Sequence, residues 1–224
     1  MPLALNAVLT AADRFHLGAY VAQPAGPARG GVVILPEIFG VNSHIRGVAD
    51  QYAALGYLAI APAMFDRAQP GLDLGYSDED VKTGQALMKK LSWDDVVLDV
   101  TAAARHVSSA GKVGLVGFCW GGTAAWVAAS RGTGYACAVS YYGNAIKTVL
   151  EDRPRIPMLL HWGAHDHLIE LADIRRIEAL APEAQSNVYD TGHGFNCEQR
   201  TLYHAPSAAL AKQRTVAFLR EHVG

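Results

Sequence analysis

The sequence predicts an α/β fold in which a mostly parallel central sheet carries helices on both faces. Two observations support this prediction. Short runs of apolar residues, typical of strands buried on both faces, alternate along the chain with longer segments of helical periodicity. Half of the 224 residues are hydrophobic, which is enough to cover such a sheet, and no break in composition divides the chain. We therefore expect one domain over residues 1–224.

The first half of the chain contains three predicted strands, with a helix between the second and the third. The strands cover residues 15–23, 31–36 and 57–62. The helix covers residues 44–55. Asn42 or Ser43 can cap its start with a side-chain oxygen, and Gly56 follows its end.

The second half continues the alternation of helices and strands. Helical patterns are expected over residues 78–91, 93–108, 123–129 and 206–222. Apolar strand patterns are expected over residues 113–116, 137–141 and 186–189, and another begins at residue 156. The loop at residues 68–77 contains glycine and proline and could border a pocket. Because strands and helices alternate, the strands are expected to lie parallel.

The candidate nucleophile is Cys119, in the segment GFCWGG at residues 117–122. An apolar run ends there and a small-residue helix begins, so the cysteine is expected on a sharp turn for which Gly117 and Gly121 leave room. The N–H groups at the start of the helix would point at the sulfur and favour the thiolate, which is the form that attacks. Taken alone, the pattern fits a small buried cysteine on a structural turn equally well.

Two downstream loops contain the partners that a nucleophile would need. A triad on a sheet of this kind runs in the order nucleophile, acid, histidine, each on a loop after a separate strand. Asp166 lies on the loop that follows the strand beginning at residue 156, and His193 stands between two glycines after the next strand. The separations leave room for a strand and a helix, so one edge of the sheet could hold all three side chains.

With these motifs the sequence resembles the dienelactone hydrolase family of the α/β-hydrolase fold. The resemblance rests on PEIFG at residues 36–40, GFCWGG at 117–122, the Asp166 loop and GHGF at 192–195, which together span nearly the whole chain. It implies that Cys119, His193 and Asp166 form a triad that hydrolyses an ester or lactone through a thioester. It also implies that Glu37 lies near the resting thiol and modulates its ionisation.

The oxyanion hole of such an enzyme would combine the backbone N–H of Trp120 with that of Ile38. The alternative for Ile38 and Phe39 is packing in the core. Glu37 follows a buried strand and precedes an apolar pair, where a carboxylate needs solvent or a partner. The alternative for Glu37 is a helix-capping or surface carboxylate.

Four residues are further candidates for substrate binding, namely Phe39, Tyr141, Phe195 and Arg200. Tyr141 and Tyr142 end a predicted strand at the edge of the sheet where ligands collect, although packing would explain them equally well. The resemblance favours Tyr141. Trp120 and Trp162 flank the nucleophile and acid loops, where large aromatic residues more often serve packing.

The arginines depart from the pattern of the family. Its best-known members hold the carboxylate of dienelactone with one arginine shortly after the histidine and another in the mid-chain helix. Here Arg200 comes later than that pattern, and residues 77–91 contain lysines but no arginine. Lysine does not reproduce the bidentate fork of arginine. Arg67 and Arg200 could point inward, although arginine is usually found at the surface, so the substrate could be another ester or lactone.

A metal site is the competing interpretation of the acid loop, because His161, His165 and His167 surround Asp166. His161 lies inside an apolar run, where a hydrogen-bonded core histidine is the usual finding. No cluster of cysteines or carboxylates completes a ligand set. We therefore expect no metal and no other cofactor.

Charge and cysteine content exclude several other classes of function. The formal net charge is −2, and the 19 lysines and arginines are dispersed, which argues against binding to nucleic acid. No apolar run is long enough to cross a membrane, and the N-terminal residues 1–6 show no signal-peptide pattern. Three cysteines cannot all pair within one chain and fit a reducing compartment, so we expect a cytoplasmic enzyme.

The sequence as a whole predicts a hydrolase that cleaves an activated ester or enol lactone through a Cys119 thioester. One alternative is a hydrolase of an unrelated ester, and another is a noncatalytic small-molecule-binding module on the same fold. A glutaminase-type or stress-response cysteine enzyme is disfavoured, because Gly194 and Phe195 follow His193 where those enzymes have a carboxylate. No heptad pattern or interface patch indicates the oligomeric state.

Overall fold

One eight-stranded sheet, in the order β1-β2-β4-β3-β5-β6-β7-β8, organises the computed structural model, which describes residues 5–224. The prediction that residues 1–6 show no signal-peptide pattern falls mostly on residues 1–4, which lie outside the described residues. The strands are β1 (Ala7–Thr10), β2 (His16–Ala22), β3 (Gly31–Leu35), β4 (Leu58–Pro62), β5 (Val113–Phe118), β6 (Cys137–Tyr141), β7 (Met158–Gly163) and β8 (Gln185–Tyr189).

The sheet is parallel except at one edge. The pairs β1–β2 and β2–β4 are antiparallel, whereas every pair from β4 through β3 to β8 is parallel. β3, β5, β6 and β7 are buried along their whole length, as expected of strands with helices on both faces. The predicted fold class, an α/β-hydrolase fold with a mostly parallel sheet, is confirmed.

Within residues 5–224, six α-helices cover the two faces of the sheet. They are α1 (Ser43–Ala54), α2 (Asp78–Met88), α3 (Trp93–Val107), α4 (Trp120–Arg131), α5 (Leu171–Leu180) and α6 (Ala205–His222). α4 is buried nearly all round against β5, β6 and α3, which its alanines and glycines permit because small side chains allow close packing. None of the helices in the described range is long and apolar enough to cross a membrane.

The predicted helix starts agree with the capping chemistry observed. The Asn42 side chain, one of the two caps proposed for α1, accepts a hydrogen bond from the Ile45 N–H at 3.2 Å. Gly56 follows α1 with a φ of 95°, a conformation that favours glycine. Ser77 and Asp80 form a reciprocal capping box at the start of α2.

Two elements were not anticipated from the sequence, β1 and α5. β1 has only four residues, too few for an alternating pattern to stand out, and it exists because it pairs with β2. α5 is amphipathic and buries only Ile174 and Ile177, so its apolar stripe is short. α2 also ends at Met88, three residues before the predicted position.

Strand register determines where the loops of the functional motifs meet. Leu35 at the end of β3 is opposite Gly117 of β5, so the segment that starts at Pro36 begins beside the Cys119 turn. Phe118 is opposite Tyr141 at the end of β6, and Gly163 of β7 is opposite Tyr189 of β8. The loops after β3, β5, β7 and β8 therefore leave the same edge of the sheet.

Candidate active site

Cys119 occupies a strained turn between β5 and α4. Its φ of 53° and ψ of −118° lie in a region that residues with a side chain rarely adopt. The backbone holds it there: its N–H donates to the Tyr141 carbonyl at 2.9 Å, and its own carbonyl accepts from the Gly122 N–H at 2.9 Å. A Cβ on Gly117 would overlap the Gly121 carbonyl, so the glycines are required by close packing, as the motif predicts.

The structure brings Cys119, His193 and Asp166 into one chain of contacts. His193 Nδ1 lies 2.7 Å from Asp166 Oδ2, and His193 Nε2 lies 3.2 Å from Cys119 Sγ. A carboxylate can only accept, so Nδ1 carries a proton and donates it to this hydrogen bond. Asp166 is itself oriented by the Leu168 N–H, which donates to Oδ1 at 2.8 Å. All three side chains are at least nine-tenths buried.

The charge state of His193 follows from its two neighbours. Burial acts to lower the pKa of His193, but the charge of Cys119 and the hydrogen bond to Asp166 outweigh burial and raise it to about 10. The imidazole is therefore protonated at neutral pH when the sulfur beside it is ionised. A thiolate facing an imidazolium is the reactive arrangement of cysteine hydrolases.

Glu37 is held by Arg200 and not by the thiol. The carboxylate is buried, and its Oε1 accepts a hydrogen bond from Arg200 Nη1 at 3.2 Å. Its Oε2 is also buried and has no hydrogen-bond partner among the described residues. Burial opposes the charged guanidinium, but the charges of Glu37 and Cys119 outweigh burial and raise the pKa of Arg200. Arg200 thus lies within electrostatic reach of both the carboxylate and the sulfur.

A small cavity of about 160 Å³ opens on the sulfur. Its walls come from the β3 loop, α2, the Cys119 turn and the loops after β6, β7 and β8; they are formed by Ile38, Phe39, Val81, Gln85, Met88, Cys119, Trp120, Asn144, His167, Leu168, His193 and Arg200. The wall is mainly apolar, with a few polar groups that could orient a ligand. Phe39 and Arg200, predicted to bind substrate, both line this cavity.

Two other predicted substrate-binding residues lie elsewhere, which corrects the sequence interpretation. Tyr141 is buried, and its hydroxyl is hydrogen-bonded to Thr215 of α6 at 2.6 Å. Phe195 is buried against the rings of Tyr142 and Tyr189. Neither side chain lines the cavity at Cys119, and both are packed among other buried aromatic residues.

The loop at residues 68–77 and Arg67 also differ from expectation. None of the cavity residues belongs to that loop, and α2, which follows it, forms the wall instead. Arg67 neither lies free at the surface nor points into the cavity. Its guanidinium forms a bidentate pair with the buried Asp99 at 2.8 and 2.9 Å and a second pair with Asp13. Arg67 therefore links the segment that follows β4 to α3 through its ion pair with Asp99.

Several cavity residues were missed by sequence reasoning. Val81, Gln85 and Met88 repeat at helical spacing on α2, and that stripe was a usable signal. Asn144 follows the end of β6, at the edge where parallel strands collect ligands. His167 adjoins the acid itself, and its ring lies 6.0 Å from that of His193.

Two of the three histidines around Asp166, His161 and His165, contact different partners outside the cavity at Cys119. His161 is buried between Tyr189 and Thr215, with which its ring nitrogens form hydrogen bonds, so the expectation of a core histidine is confirmed. His165 is exposed and lies 2.6 Å from Asp190. Within residues 5–224 no cluster of three or more histidines, cysteines and carboxylates is placed to hold a metal ion.

Comparison with known proteins identifies the family of this chain. The family model described as the dienelactone hydrolase family matches residues 17–223. The chain belongs to the dienelactone hydrolase family. It is 34% identical to the carboxymethylenebutenolidase of Pseudomonas putida over 92% of either chain. It is also 34% identical to a Synechocystis protein provisionally named a carboxymethylenebutenolidase, over 90% of either chain.

A solved structure supports the same relationship. A protein of Klebsiella pneumoniae that is provisionally named a dienelactone hydrolase is 29% identical and superposes with a TM-score of 0.83. The match covers 97% of this chain and 100% of that protein. The protein is therefore a carboxylic ester hydrolase of the dienelactone hydrolase type, which acts on a small ester or lactone, and the family prediction is confirmed.

Proposed function

We propose that this dienelactone hydrolase family member cleaves an activated ester or enol lactone through a thioester on Cys119. The observation that carries the proposal is the contact chain from Asp166 through His193 to Cys119 Sγ, at 2.7 and 3.2 Å, on the wall of a cavity. Asp166 holds the imidazole in one tautomer, and His193 exchanges protons with the reacting groups.

In the first half of the reaction the Cys119 thiolate attacks the carbonyl carbon of the substrate. Negative charge then moves onto the carbonyl oxygen, which the N–H groups of Ile38 and Trp120 would stabilise. Both residues line the cavity, and neither N–H donates a hydrogen bond to another group in the described part of the chain. When the carbon–oxygen bond breaks, the His193 imidazolium gives its proton to the leaving oxygen. The product of this half is the thioester.

In the second half water releases the acyl group. Neutral His193 accepts a proton from a water molecule, whose oxygen attacks the thioester carbonyl. The carbon–sulfur bond then breaks, so that the acid leaves and the thiolate–imidazolium pair is restored. A thiolate leaves the first tetrahedral intermediate more easily than an alkoxide does, so only substrates with good leaving groups, such as enol esters, turn over well. Unactivated amides are poor substrates.

Arg200 is the proposed anchor for a carboxylate on the substrate. It lines the cavity and its side chain is only 19% exposed, so a carboxylate there would be largely desolvated. The opposite wall from α2 presents Val81, Gln85 and Met88 and offers no second guanidinium. The site therefore suits a substrate with one carboxylate and an apolar remainder. Glu37, which competes for Arg200, is the proposed modulator of thiol ionisation.

The nucleophile is tested by acylation and turnover together. Wild-type protein mixed with p-nitrophenyl acetate should release a burst of nitrophenol, and mass spectrometry should find one acetyl group on Cys119. In a separate assay the wild-type protein should hydrolyse dienelactone. Cys119→Ala should show neither the burst nor turnover. Cys137→Ala, which removes a buried thiol at the start of β6, should behave as wild type.

Each other outcome has a definite meaning. Saturable binding of the ester without acylation of wild-type protein would identify a noncatalytic binding module and contradict the proposal. Turnover that survives in Cys119→Ala would exclude the thioester. Acetylation of Cys119 without loss of dienelactone would retain the mechanism and assign the substrate to another class of ester. The proposed thiol chemistry also requires a reducing compartment such as the cytoplasm.

A further inference from the structure

A second cavity of about 340 Å³ lies between α1 and α6, and it shares no lining residue with the cavity at Cys119. One face of α6 presents three alanines and a lysine towards α1, which leaves the two helices with a gap between them. The lining residues are His44, Val48, Gln51, Tyr52, Phe118, Tyr141, Asn196, Glu198, Tyr203, Ala205, Ala208, Ala209 and Lys212. Its size lies within the usual range for small-molecule sites, about 300–1,000 Å³.

The inner part of this cavity is apolar and aromatic. The rings of Phe118 and Tyr141 are buried there, 4.8 Å apart, and the alanines of α6 add methyl groups opposite them. His44, which is about 1% exposed, adds a polar ring at this depth. Neither of its ring nitrogens has a hydrogen-bond partner among residues 5–224. Such a buried polar group is costly unless a ligand or water supplies a partner.

Two charged side chains, Glu198 and Lys212, stand at the rim without a direct contact between them. Glu198 Oε2 lies 3.0 Å from His44 Nδ1, although off the direction needed for a hydrogen bond, so this carboxylate faces the histidine. The ammonium of Lys212 is hydrogen-bonded to the neutral side-chain oxygen of Gln51. Within the described range no carboxylate lies within 4.0 Å of it. Burial lowers the pKa of Lys212, and the charge of Glu198, which makes no direct contact with the ammonium, opposes this effect only in part.

We propose that the cavity between α1 and α6 is a second binding site, for a small monocarboxylate with an apolar body. The carboxylate forms the direct ion pair with Lys212 that no carboxylate of the described residues forms, and the apolar body occupies the space between Phe118, Tyr141 and the alanines. A cationic ligand is disfavoured, because Lys212 would repel it and Glu198 already faces His44.

The cavity between α1 and α6 borders the segments of chain that carry the active-site residues. Asn196 and Glu198 belong to the segment that connects His193 with Arg200, and Phe118 immediately precedes Cys119. A ligand here would contact that segment without touching the residues that line the cavity at Cys119.

Benzoate is the probe, and isothermal titration calorimetry on the full chain is the measurement. Cys119 is first alkylated with iodoacetamide, which blocks the catalytic cavity and its arginine. Lys212→Met removes the ammonium and keeps the aliphatic stem, whereas Ala209→Leu fills the cavity from an exposed position on α6. Lys112→Met, at an exposed lysine that does not line this cavity, is the control.

Benzoate should bind the alkylated protein and Lys112→Met with equal affinity in the millimolar range. Lys212→Met and Ala209→Leu should each weaken binding by about tenfold or more, because each removes one of the two contacts. The proposal is overturned if benzoate fails to bind at about 50 mM, if alkylation of Cys119 abolishes binding, or if both variants bind as wild type. Tighter binding of benzylamine than of benzoate would overturn the charge assignment.

Discussion

Asp166 decides which nitrogen of His193 faces the sulfur. Its Oδ2 accepts the Nδ1 proton at 2.7 Å, which leaves Nε2 directed at Cys119 Sγ. The same carboxylate helps to hold the pKa of His193 near 10 against the effect of burial. At the scale of single residues, therefore, the acid controls both the orientation and the charge of the base.

Replacing Asp166 by Asn should lower kcat by about 10²- to 10⁴-fold, because an amide can stabilise the wrong tautomer and cannot stabilise the imidazolium. The imidazolium is present below its pKa and is lost above it. The rate of acylation should therefore fall above about pH 10 in wild type. In the variant the imidazolium loses its proton at lower pH, so the rate should begin to fall at lower pH as well. Burst kinetics measured from pH 6 to about 10.5 check this.

Asp190→Asn is the matched control, because Asp190 pairs with exposed His165 at 2.6 Å, away from the cavity. An unchanged alkaline limb in Asp166→Asn would remove the acid from the proposed mechanism.

Arg200 distinguishes substrates by charge. Arg200→Met should reduce kcat/KM for a lactone that carries a carboxylate by about 10- to 100-fold, the effect of one charge-assisted hydrogen bond, and should change an uncharged aryl ester little. The double variant Glu37→Gln/Arg200→Met avoids leaving the buried carboxylate unpaired and should show the same selectivity. Equal losses on both substrates would mean that Arg200 serves the fold only. Arg214→Met, an exposed arginine over the Tyr189 ring, is the control.

At the scale of elements, the turn between β5 and α4 depends on close backbone contacts. A Cβ on Gly121 would overlap the carbonyl oxygens of Leu35 and Pro36, at the end of β3 where the proposed oxyanion loop begins. The same contact that packs α4 on the sheet therefore sets the distance between the Cys119 turn and the loop with Ile38. The two halves of the proposed oxyanion hole are positioned by one glycine.

Gly121→Ala should displace the turn and reduce kcat/KM by about 100-fold, because small misplacements of reacting groups are costly. Gly47→Ala is the matched control. A Cβ at Gly47 meets no atom within 4 Å, and alanine favours the interior of α1, so that variant should be as stable as wild type or more so. Kinetics and thermal unfolding of both variants make the comparison. Wild-type activity in folded Gly121→Ala would show that the turn tolerates the added atom.

At the scale of the whole molecule, the interior contains a histidine that must stay neutral. His161 of β7 is hydrogen-bonded to Tyr189 of β8 and Thr215 of α6, so it connects the sheet with its last helix. Burial lowers the pKa of His161 to about 3, and nearby Arg214 adds to this effect. The unfolded chain, in contrast, protonates this histidine near its ordinary pKa of about 6.5.

The sign of the pH dependence follows. Between about pH 6.5 and 3 the unfolded state binds a proton that the folded state does not, so stability is full above pH 6.5 and falls as the pH is lowered. From pH 6.5 to 5 the loss is about 2 kcal/mol for this one group. Urea unfolding at both pH values should show this loss in wild type and a smaller one in His161→Gln. Equal losses would assign the acid sensitivity to other residues.

The sequence by itself determined the class of fold, most helix and strand positions and the chain order of Cys119, Asp166 and His193. These follow from local rules: apolar runs mark buried strands, caps and glycines mark helix ends, and close packing admits only small residues at the turn. Tertiary structure alone decided that Arg200 reaches Glu37, that α2 forms the wall of the cavity, and that Tyr141 turns into the core. Each of these depends on which side chains meet across loops and strands, and sequence spacing does not specify such directions.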